Sequence, residues 1–336
     1  MPNKDVVIKI IKSTIPILWL DTSVIVFLTR WKNNIGALEQ IQKDRIGRLY
    51  DQIYKYTRAG KLICPLAEQD REIWVERDKW LDTIHNLSLG ISTLPEKDIT
   101  DIQFNTFMEG FVNNEGEITL SYKDAFHEDP VNEIYETLKS PVFVTVNPPI
   151  LFGDGYQKKL KNNLLTELDK QREKNVQAGV SFEQQLAKEY MGGVEALFSC
   201  FQDFLSGSDD EHLNSMFGAI NLNQKLAMWN KYTGNSHDIN GLISFYKSHY
   251  YRLTPYANLS CNLLAKLMID KQPIRSGDMM DIKHISTLMP YSNIFITDKA
   301  MSTFLKKRRF DDLYNTTVCY IGDTDVIDGF FSKLNK

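Results

Sequence analysis

The chain has 336 residues, 43% of them hydrophobic and 24% charged, which excludes a disordered protein and allows one large domain or a core domain with an insertion. Its formal net charge of -4 provides no global positive field, so any contact with nucleic acid must depend on a local basic patch. The apolar stretch 15–28 is too short to cross a membrane and contains Asp21, and no cleavable signal peptide is evident, so we expect no membrane association.

The first predicted strand ends at an acidic residue. Residues 17–20 are a continuous apolar run, as in a strand buried on both faces, and the run stops at Asp21. A short helix is predicted at 24–28. Apolar residues at helical spacing predict a longer helix at 37–59, and Gly60 is a natural stop for it.

A second buried strand is predicted at residues 62–64, immediately before Pro65. A strand, a helix and a strand of these lengths predict a right-handed βαβ crossover. A further helix is predicted from about Leu66 into the eighties, because apolar residues recur there at helical spacing.

The middle of the chain, residues 93–257, is predicted to be a mostly helical insertion, because the alternation of strands and helices fails there. The individual predictions are a hairpin at 113–116, a proline-rich loop at 147–149, and helices at 156–177, 182–205 and 240–250. Aromatic and basic residues of the insertion, including Trp229, Tyr250, Tyr251 and Arg252, either belong to an ordinary core or contact nucleic acid.

Alternating elements return near residue 258. Helices are predicted at about 259–268, from about 278 to 288 and at 300–307, and strands at 293–297 and 316–321. The strand at 293–297 is again an apolar run that ends at an acid, Asp298. We therefore predict an α/β fold in which residues 1–92 and 258–336 share one doubly wound parallel sheet flanked by helices.

The four cysteines are widely separated and lack the spacing of zinc ligands. Cys64 and Cys319 lie inside apolar, strand-like runs. Buried free thiols are therefore expected, which is typical of a protein in a reducing cytoplasm.

Acidic residues leave several predicted elements at one edge of the sheet. Asp21 and Asp298 follow strands directly, Glu68 and Glu72 share one helical face, and Asp281 opens the helix before the third strand. Neighbouring carboxylates repel and raise one another's pKa unless a cation neutralises them. Because the candidate ligands are oxygens, without His or Cys, the pattern indicates a hard ion, Mg²⁺ or Mn²⁺.

These segments together resemble the PIN domain family of metal-dependent nucleases. The matching segments are LDTSVI (20–25), PLAEQDRE (65–72), DMMDIKH (278–284) and ITDK (296–299). The family's acidic positions fall on Asp21, Glu68 or Glu72, Asp281 and Asp298, and its small hydroxyl residues fall on Ser23 and Thr297. The resemblance covers roughly the first ninety and the last eighty residues, and the chain departs from it at the second acid, where the usual single glutamate has two candidates.

The resemblance implies a PIN-like fold and hydrolysis of a phosphodiester bond in RNA or single-stranded DNA, with RNA favoured. In that mechanism one or two metal ions, held by the carboxylates, activate a water and stabilise the leaving oxygen. The number of metals, the oligomeric state and an inhibitor or regulatory protein as partner stay open.

Each of these acidic residues could have a structural role instead of binding metal. Asp21 and Asp298 can each cap the helix that follows, although the two residues after Asp21 could cap the first helix instead. Asp278 could be the functional acid of the third segment while Asp281 favours the helix N-terminus. Either Glu68 or Glu72 is expected to be solvated surface.

Basic residues near the last predicted strands are candidate nucleic-acid contacts. They are Lys299, Lys306, Lys307, Arg308 and Arg309. The run 306–309 either binds phosphates or is a solvated helix end whose charge favours the helix dipole.

Two other functions compete with the nuclease. A catalytically silent PIN-like scaffold would bind RNA or a protein partner without cutting, but acids are present at all the family positions. A phosphatase of the haloacid dehalogenase type also begins with an acid at a strand end. That family needs a second aspartate two residues later, where this chain has Ser23.

Overall fold

The computed structural model describes residues 6–36, 38–71, 77–140, 154–206, 212–235, 237–275 and 277–335. Over these ranges the chain is a mixed α/β protein, mostly helical, with one three-stranded parallel sheet and one two-stranded sheet. It forms two compact units. The sheet unit comprises Ile10–Ile99, Ser121–Leu151 and Thr287–Lys336, and the helical unit comprises Met1–Lys9, Thr100–Leu120 and Phe152–Ser286.

The elements follow in chain order. The strands are β1 (Val7–Ile11), β2 (Leu18–Leu20), β3 (Glu117–Ser121), β4 (Ile294–Thr297) and β5 (Thr317–Tyr320). The helices are α1 (Thr22–Lys32), α2 (Gln40–Arg58), α3 (Arg77–Ser88), α4 (Glu96–Val112), α5 (Pro130–Lys139), α6 (Asp154–Gln177), α7 (Phe182–Ser206), α8 (His212–Thr233), α9 (Ile239–Lys247), α10 (His249–Leu253), α11 (Pro255–Leu267), α12 (Asp278–Leu288), α13 (Lys299–Lys307), α14 (Phe310–Leu313) and α15 (Thr324–Lys333). Short 3₁₀ helices lie at Glu68–Arg71, Tyr122–Ala125 and Met289–Tyr291.

The parallel sheet joins the two ends of the chain, as predicted. Its strand order is β2-β4-β5, with Leu18 beside Ile294 and Ile294 beside Thr317. The side chain of Asn293 accepts a hydrogen bond from the Ile17 amide at 2.9 Å, and the Asn293 amide donates to the Ile17 carbonyl at 2.8 Å. Every residue of β2 and β4 is buried, which explains why these strands are continuous apolar runs.

The predicted strand at 62–64 is only a single parallel bridge, between Ile63 and Ile17. The Ile63 carbonyl accepts from the Leu18 amide at 2.8 Å, and the Ile63 amide donates to the Pro16 carbonyl at 2.9 Å. The ladder stops there because Pro65 has no amide hydrogen to continue it.

The helices of the sheet unit pack their apolar faces into one core with the sheet. Residues from β2, β4 and β5 share this core with residues from α1, α2, α3 and α15. Gly60 ends α2, as predicted, with a left-handed φ of 66°. The helix predicted from Leu66 begins instead as a 3₁₀ turn at Glu68–Arg71, and α3 occupies Arg77–Ser88 of the described residues.

The helical unit contains most of the predicted insertion. The predicted helices at 156–177 and 182–205 correspond to α6 and α7, whereas the one at 240–250 is broken at Ser248 into α9 and α10. No hairpin forms at 113–116, because those residues connect the end of α4 to β3 and Asn114 takes a left-handed φ of 53°. The predicted loop at 147–149 lies outside the described residues.

Aromatic side chains form the core of the helical unit. Trp229, Tyr250 and Tyr251 are buried, and the Phe111 ring lies 6.0 Å from Trp229 and 5.5 Å from Tyr250 between centroids. These residues therefore belong to an ordinary core, which is one of the two alternatives that the sequence left open. The unit also takes in residues 258–286, which the sequence analysis placed with the sheet, because α11 packs against α7.

The three cysteines whose side chains are described, Cys64, Cys261 and Cys319, are buried free thiols, as expected. Within the described part of the chain, no helix is both long and apolar enough to cross a membrane.

A half-buried lysine anchors the segment after β1 to the amino ends of β4 and β5. Lys12 Nζ donates to the Pro290 carbonyl at 2.8 Å and to Thr316 Oγ1 at 3.0 Å. Because Lys12→Met leaves these acceptors without their donor, we expect it to lower the free energy of unfolding by about 1–3 kcal/mol. Urea denaturation measures the loss. Lys9→Met, at an exposed position in β1, is the control; equal stability of the two variants would contradict the anchoring role.

Candidate active site at the carboxyl edge of the parallel sheet

Asp21 lies at the carboxyl end of β2, where the chain turns into α1. Its amide donates to the Ile296 carbonyl of β4 at 2.9 Å, and its carbonyl accepts from the Val24 and Ile25 amides at the start of α1. The side chain makes no capping hydrogen bond to α1 and is 6% exposed. The alternative that this carboxylate caps the helix is therefore wrong.

Two hydroxyl groups hold the Asp21 carboxylate. Thr297 Oγ1, at the end of β4, donates to Asp21 Oδ2 at 2.8 Å, and Ser23 Oγ donates to the same oxygen at 3.3 Å. Both hydroxyl residues had been expected to support the acids. Both hydroxyls reach the same oxygen, Oδ2, and a hydrogen bond from the Ser23 amide also favours the charged form of this nearly buried carboxylate.

Asp298 follows β4 and is the N-cap of α13. Its Oδ1 accepts from the Ala300 amide at 2.7 Å and from the Met301 amide at 3.0 Å, so the capping alternative is confirmed for this residue. The side chain is nevertheless exposed, and within the described residues Oδ2 receives no hydrogen bond. Capping therefore occupies one oxygen and fixes the direction of the other.

The two carboxylates influence each other electrostatically. Burial raises the pKa of Asp21 above its ordinary value, and the negative charge of Asp298 raises it further. The hydrogen bonds from Thr297 and Ser23 oppose this rise by favouring the charged form. The ionised pair is thus unfavourable in the metal-free protein, and a bound cation would relieve both the burial cost and the repulsion.

A glutamine that the sequence analysis missed supports the end of β2. Gln69 is fully buried; its Nε2 donates to the Leu20 carbonyl at 3.3 Å, and its Oε1 accepts from the Ala67 amide at 2.7 Å. The neighbouring acid Glu68 is half-buried in the same 3₁₀ turn. The other candidate for this position, Glu72, lies outside the described residues. The signal in the sequence that could have identified Gln69 was a neutral amide side chain between two acidic residues, shortly after Pro65.

The third acidic segment lies in α12, largely in the helical unit. Asp281 is half-buried in the first turn of that helix. Asp278 has a local role, because its Oδ2 accepts from the Arg275 amide at 2.7 Å. The expectation that Asp281 joins the metal site stays a prediction. Among the described residues, no three side chains of His, Cys, Asp or Glu are grouped as a metal site would require.

Basic side chains and one tyrosine lie at the same carboxyl edge. Lys299 Nζ is 5.7 Å from the centroid of the Tyr320 ring, at the end of β5. Lys306 Nζ forms an ion pair of 3.1 Å with Asp323, just beyond β5. The two lysines were candidates from the sequence, whereas Tyr320 was not, because its aromatic ring could not be assigned to this edge without the strand register.

The rest of the basic run is exposed. Lys306 and Lys307 occupy the last turn of α13, where their charge favours the helix dipole. Arg309 has a left-handed φ of 59° and pairs with Asp312 at 2.9 Å. Lys307 and Arg308 are exposed as well, and contact of this run with phosphates stays a prediction.

Comparison with known proteins identifies no relative: no family model, no curated protein and no solved structure matches the chain.

Proposed function

We propose that this chain is a nuclease with a PIN-like core that hydrolyses phosphodiester bonds in RNA and depends on Mg²⁺ or Mn²⁺. The observation that carries the proposal is the pair Asp21 and Asp298. Their carboxylates follow adjacent parallel strands; the two hydroxyls that bind Asp21 both reach Oδ2, and the two amides that bind Asp298 both reach Oδ1.

The donor set fits a small hard cation. Mg²⁺ is commonly bound through one or two carboxylates, with water and substrate phosphates completing its shell. Asp21 and Asp298 would supply those carboxylates, and Glu68, Glu72 and Asp281 are the further candidates. When bound, the ion would activate a water for attack on phosphorus and stabilise the leaving oxygen.

The surrounding residues hold the two acids in place. Thr297 and Ser23 orient Asp21 through Oδ2, which directs its other oxygen away from them. The amides of α13 orient Asp298 in the same way. Gln69 fastens the last carbonyl of β2, so the backbone that carries Asp21 is also restrained.

A catalytically silent scaffold that binds RNA or a protein partner is the second candidate. Two observations favour it: no group of three potential ligands occurs in the described ranges, and Gln69, a buried polar side chain beside the end of β2, is neutral rather than acidic. Such a scaffold would have the same fold and the same basic residues at the carboxyl edge of the sheet, but no cleavage activity.

Metal dependence of cleavage separates the two candidates. We expect the purified protein, after removal of divalent ions by EDTA, to be inactive on labelled RNA, and addition of Mn²⁺ or Mg²⁺ to restore cutting. A single-stranded DNA of matching sequence tests the preference for RNA. Binding of RNA without cleavage at any metal concentration would support the scaffold, and cleavage that persists in EDTA would contradict the metal mechanism.

A further inference from the structure

One row of side chains crosses the carboxyl edge of the parallel sheet. Thr297 of β4 is paired with Tyr320 of β5, and Leu20 of β2 is paired with Ile296. Paired residues of parallel strands present their side chains to the same face, so Tyr320 lies on the face of Thr297. The hydrogen bond from Thr297 to Asp21 places the carboxylate in that same row.

The distance along this row suits a nucleotide chain. Neighbouring strands are about 4.8 Å apart, so Tyr320 and Asp21, two strands apart, are separated by roughly 10 Å at the backbone. A phosphate at Asp21 would therefore place the base of a nearby nucleotide within reach of the tyrosine ring.

The Tyr320 ring is held by its own turn. A Cβ atom added to Gly322 would collide with Cε2 of Tyr320 and lie 2.9 Å from its hydroxyl oxygen, so the backbone at this glycine supports the outer end of the ring. The Asp323 amide donates to the Tyr320 carbonyl at 2.8 Å, and Lys306 pairs with the Asp323 carboxylate. The turn thus holds the ring in place, and its acidic residue is paired with a lysine.

The Tyr320 side chain is also exposed enough to contact a ligand. Tyr320 is half-buried, whereas Lys299, whose ammonium lies near the ring, is exposed on the first turn of α13. An exposed lysine can turn its ammonium from the ring to a phosphate at little cost, because its four-carbon chain is flexible. Aromatic rings beside lysines are typical of sites that bind single-stranded nucleic acid.

We infer that Tyr320 and Lys299 form a binding platform on which an unpaired nucleobase stacks on the tyrosine ring while the lysine contacts its phosphate. This inference rests on the proposed function, because it assigns single-stranded substrates to the same edge of the sheet. It makes Tyr320 a substrate-binding residue that selects unpaired over paired nucleotides.

The test measures binding rather than cleavage. A fluorescein-labelled single-stranded RNA 12-mer, the same oligomer lacking its bases, a duplex RNA and a single-stranded DNA are titrated in EDTA. We expect Tyr320→Leu to weaken binding of the base-containing RNA by about 10-fold and to leave the abasic oligomer unchanged. Tyr320→Phe should keep the affinity, because it keeps the ring.

Two further variants complete the design. Lys299→Gln should weaken binding of the RNA and of the abasic oligomer to the same extent. It should also reduce the slope of log affinity against log salt concentration by about 1. Tyr54→Leu is the matched control, since Tyr54 is also a partly exposed tyrosine beside a cation, Arg58, but lies on α2. Its binding should equal that of the wild type.

Photocrosslinking of the unmodified protein provides a second measurement that does not depend on a variant's folding. A 12-mer containing 4-thiouridine should crosslink to the peptide that contains Tyr320. The platform would be overturned by crosslinks confined to other peptides. It would also be overturned if Tyr320→Leu weakened binding of the RNA and of the abasic oligomer equally, or if duplex RNA bound more tightly than single-stranded RNA. Wild-type protein that binds none of the oligomers would overturn it too. Stacking on Tyr320 without metal-dependent cleavage would instead reject the nuclease and keep the platform.

Discussion

Replacing Asp298 with asparagine should reduce metal-dependent cleavage by more than about 100-fold while leaving the metal-free protein about as stable as the wild type. Loss of a residue that merely orients a metal ligand costs 10- to 100-fold, and we expect loss of a ligand itself to cost more. Asparagine caps helices about as well as aspartate, so the hydrogen bonds from Ala300 and Met301 to Oδ1 can remain.

Two small electrostatic changes oppose each other in the metal-free Asp298→Asn protein. Loss of a negative charge at the N-terminus of α13 costs about 0.3–1 kcal/mol, and relief of the repulsion with Asp21 offsets it. The net change in the free energy of unfolding should therefore stay within about 1 kcal/mol. Asp298→Ala removes the cap as well, which costs about 0.5–2 kcal/mol more.

Thermal melting of the three proteins with and without Mn²⁺, beside the cleavage assay, decides the role of Asp298. We expect Mn²⁺ to raise the melting temperature of the wild type and to raise those of the Asn and Ala variants much less. Asp325→Asn, which removes an exposed charge from the first turn of α15, controls for net charge. Wild-type cleavage by Asp298→Asn, or equal stabilisation of all proteins by Mn²⁺, would remove Asp298 from the metal site.

Replacing Asp21 with asparagine should make the metal-free protein more stable than the wild type, by an amount that grows as the pH rises. Burial and the charge of Asp298 raise the pKa of Asp21 in the folded state above the unfolded value, which is about 3.9. Between these two pKa values the folded protein holds more protons than the unfolded chain, so this residue's contribution to stability falls as the pH rises. The contribution is fully present below the unfolded pKa and is lost through the folded pKa.

Urea denaturation in EDTA, from about pH 4 to about pH 8, measures this effect as the difference between the variant and the wild type. Each unit by which the pKa is raised corresponds to about 1.4 kcal/mol of that difference. Mn²⁺ at about 100 times its Kd should stabilise the wild type by about 2.7 kcal/mol and the Asp21→Asn protein far less. If the difference in the free energy of unfolding between the variant and the wild type does not change with pH, the pKa of Asp21 is not raised in the metal-free folded protein.

Local patterns were sufficient to predict several parts of the candidate site. The apolar runs before Asp21 and Asp298 predict strands that end at acids, and β2 and β4 end there. The supporting hydroxyl residues Ser23 and Thr297 were expected from the family resemblance, and both donate to Asp21. These predictions succeed because strand burial and chain direction determine where a side chain at a strand end can lie.

Contacts between distant residues could not be predicted in the same way. Gln69 binds the carbonyl of Leu20, and Tyr320 lies beside Thr297; both relations depend on which segments become neighbours. The strand predicted at 62–64 failed for a local reason, since Pro65 has no amide hydrogen with which to extend the pairing beyond the one bridge to Ile17. The packing of α11 against α7, which groups residues 258–286 with the helical unit, leaves no periodic signal in the chain.

Local patterns in the chain were enough to predict the mixed α/β class, the two acids that follow strands and the pairing of the two chain ends in one parallel sheet. How the two acids differ depends on tertiary packing. Asp21 is buried and held by two hydroxyls, whereas Asp298 is exposed and caps α13. The physical reason is that burial and hydrogen bonding depend on the neighbours that packing brings together, whereas a run of apolar residues ending at an acid is a property of the chain alone.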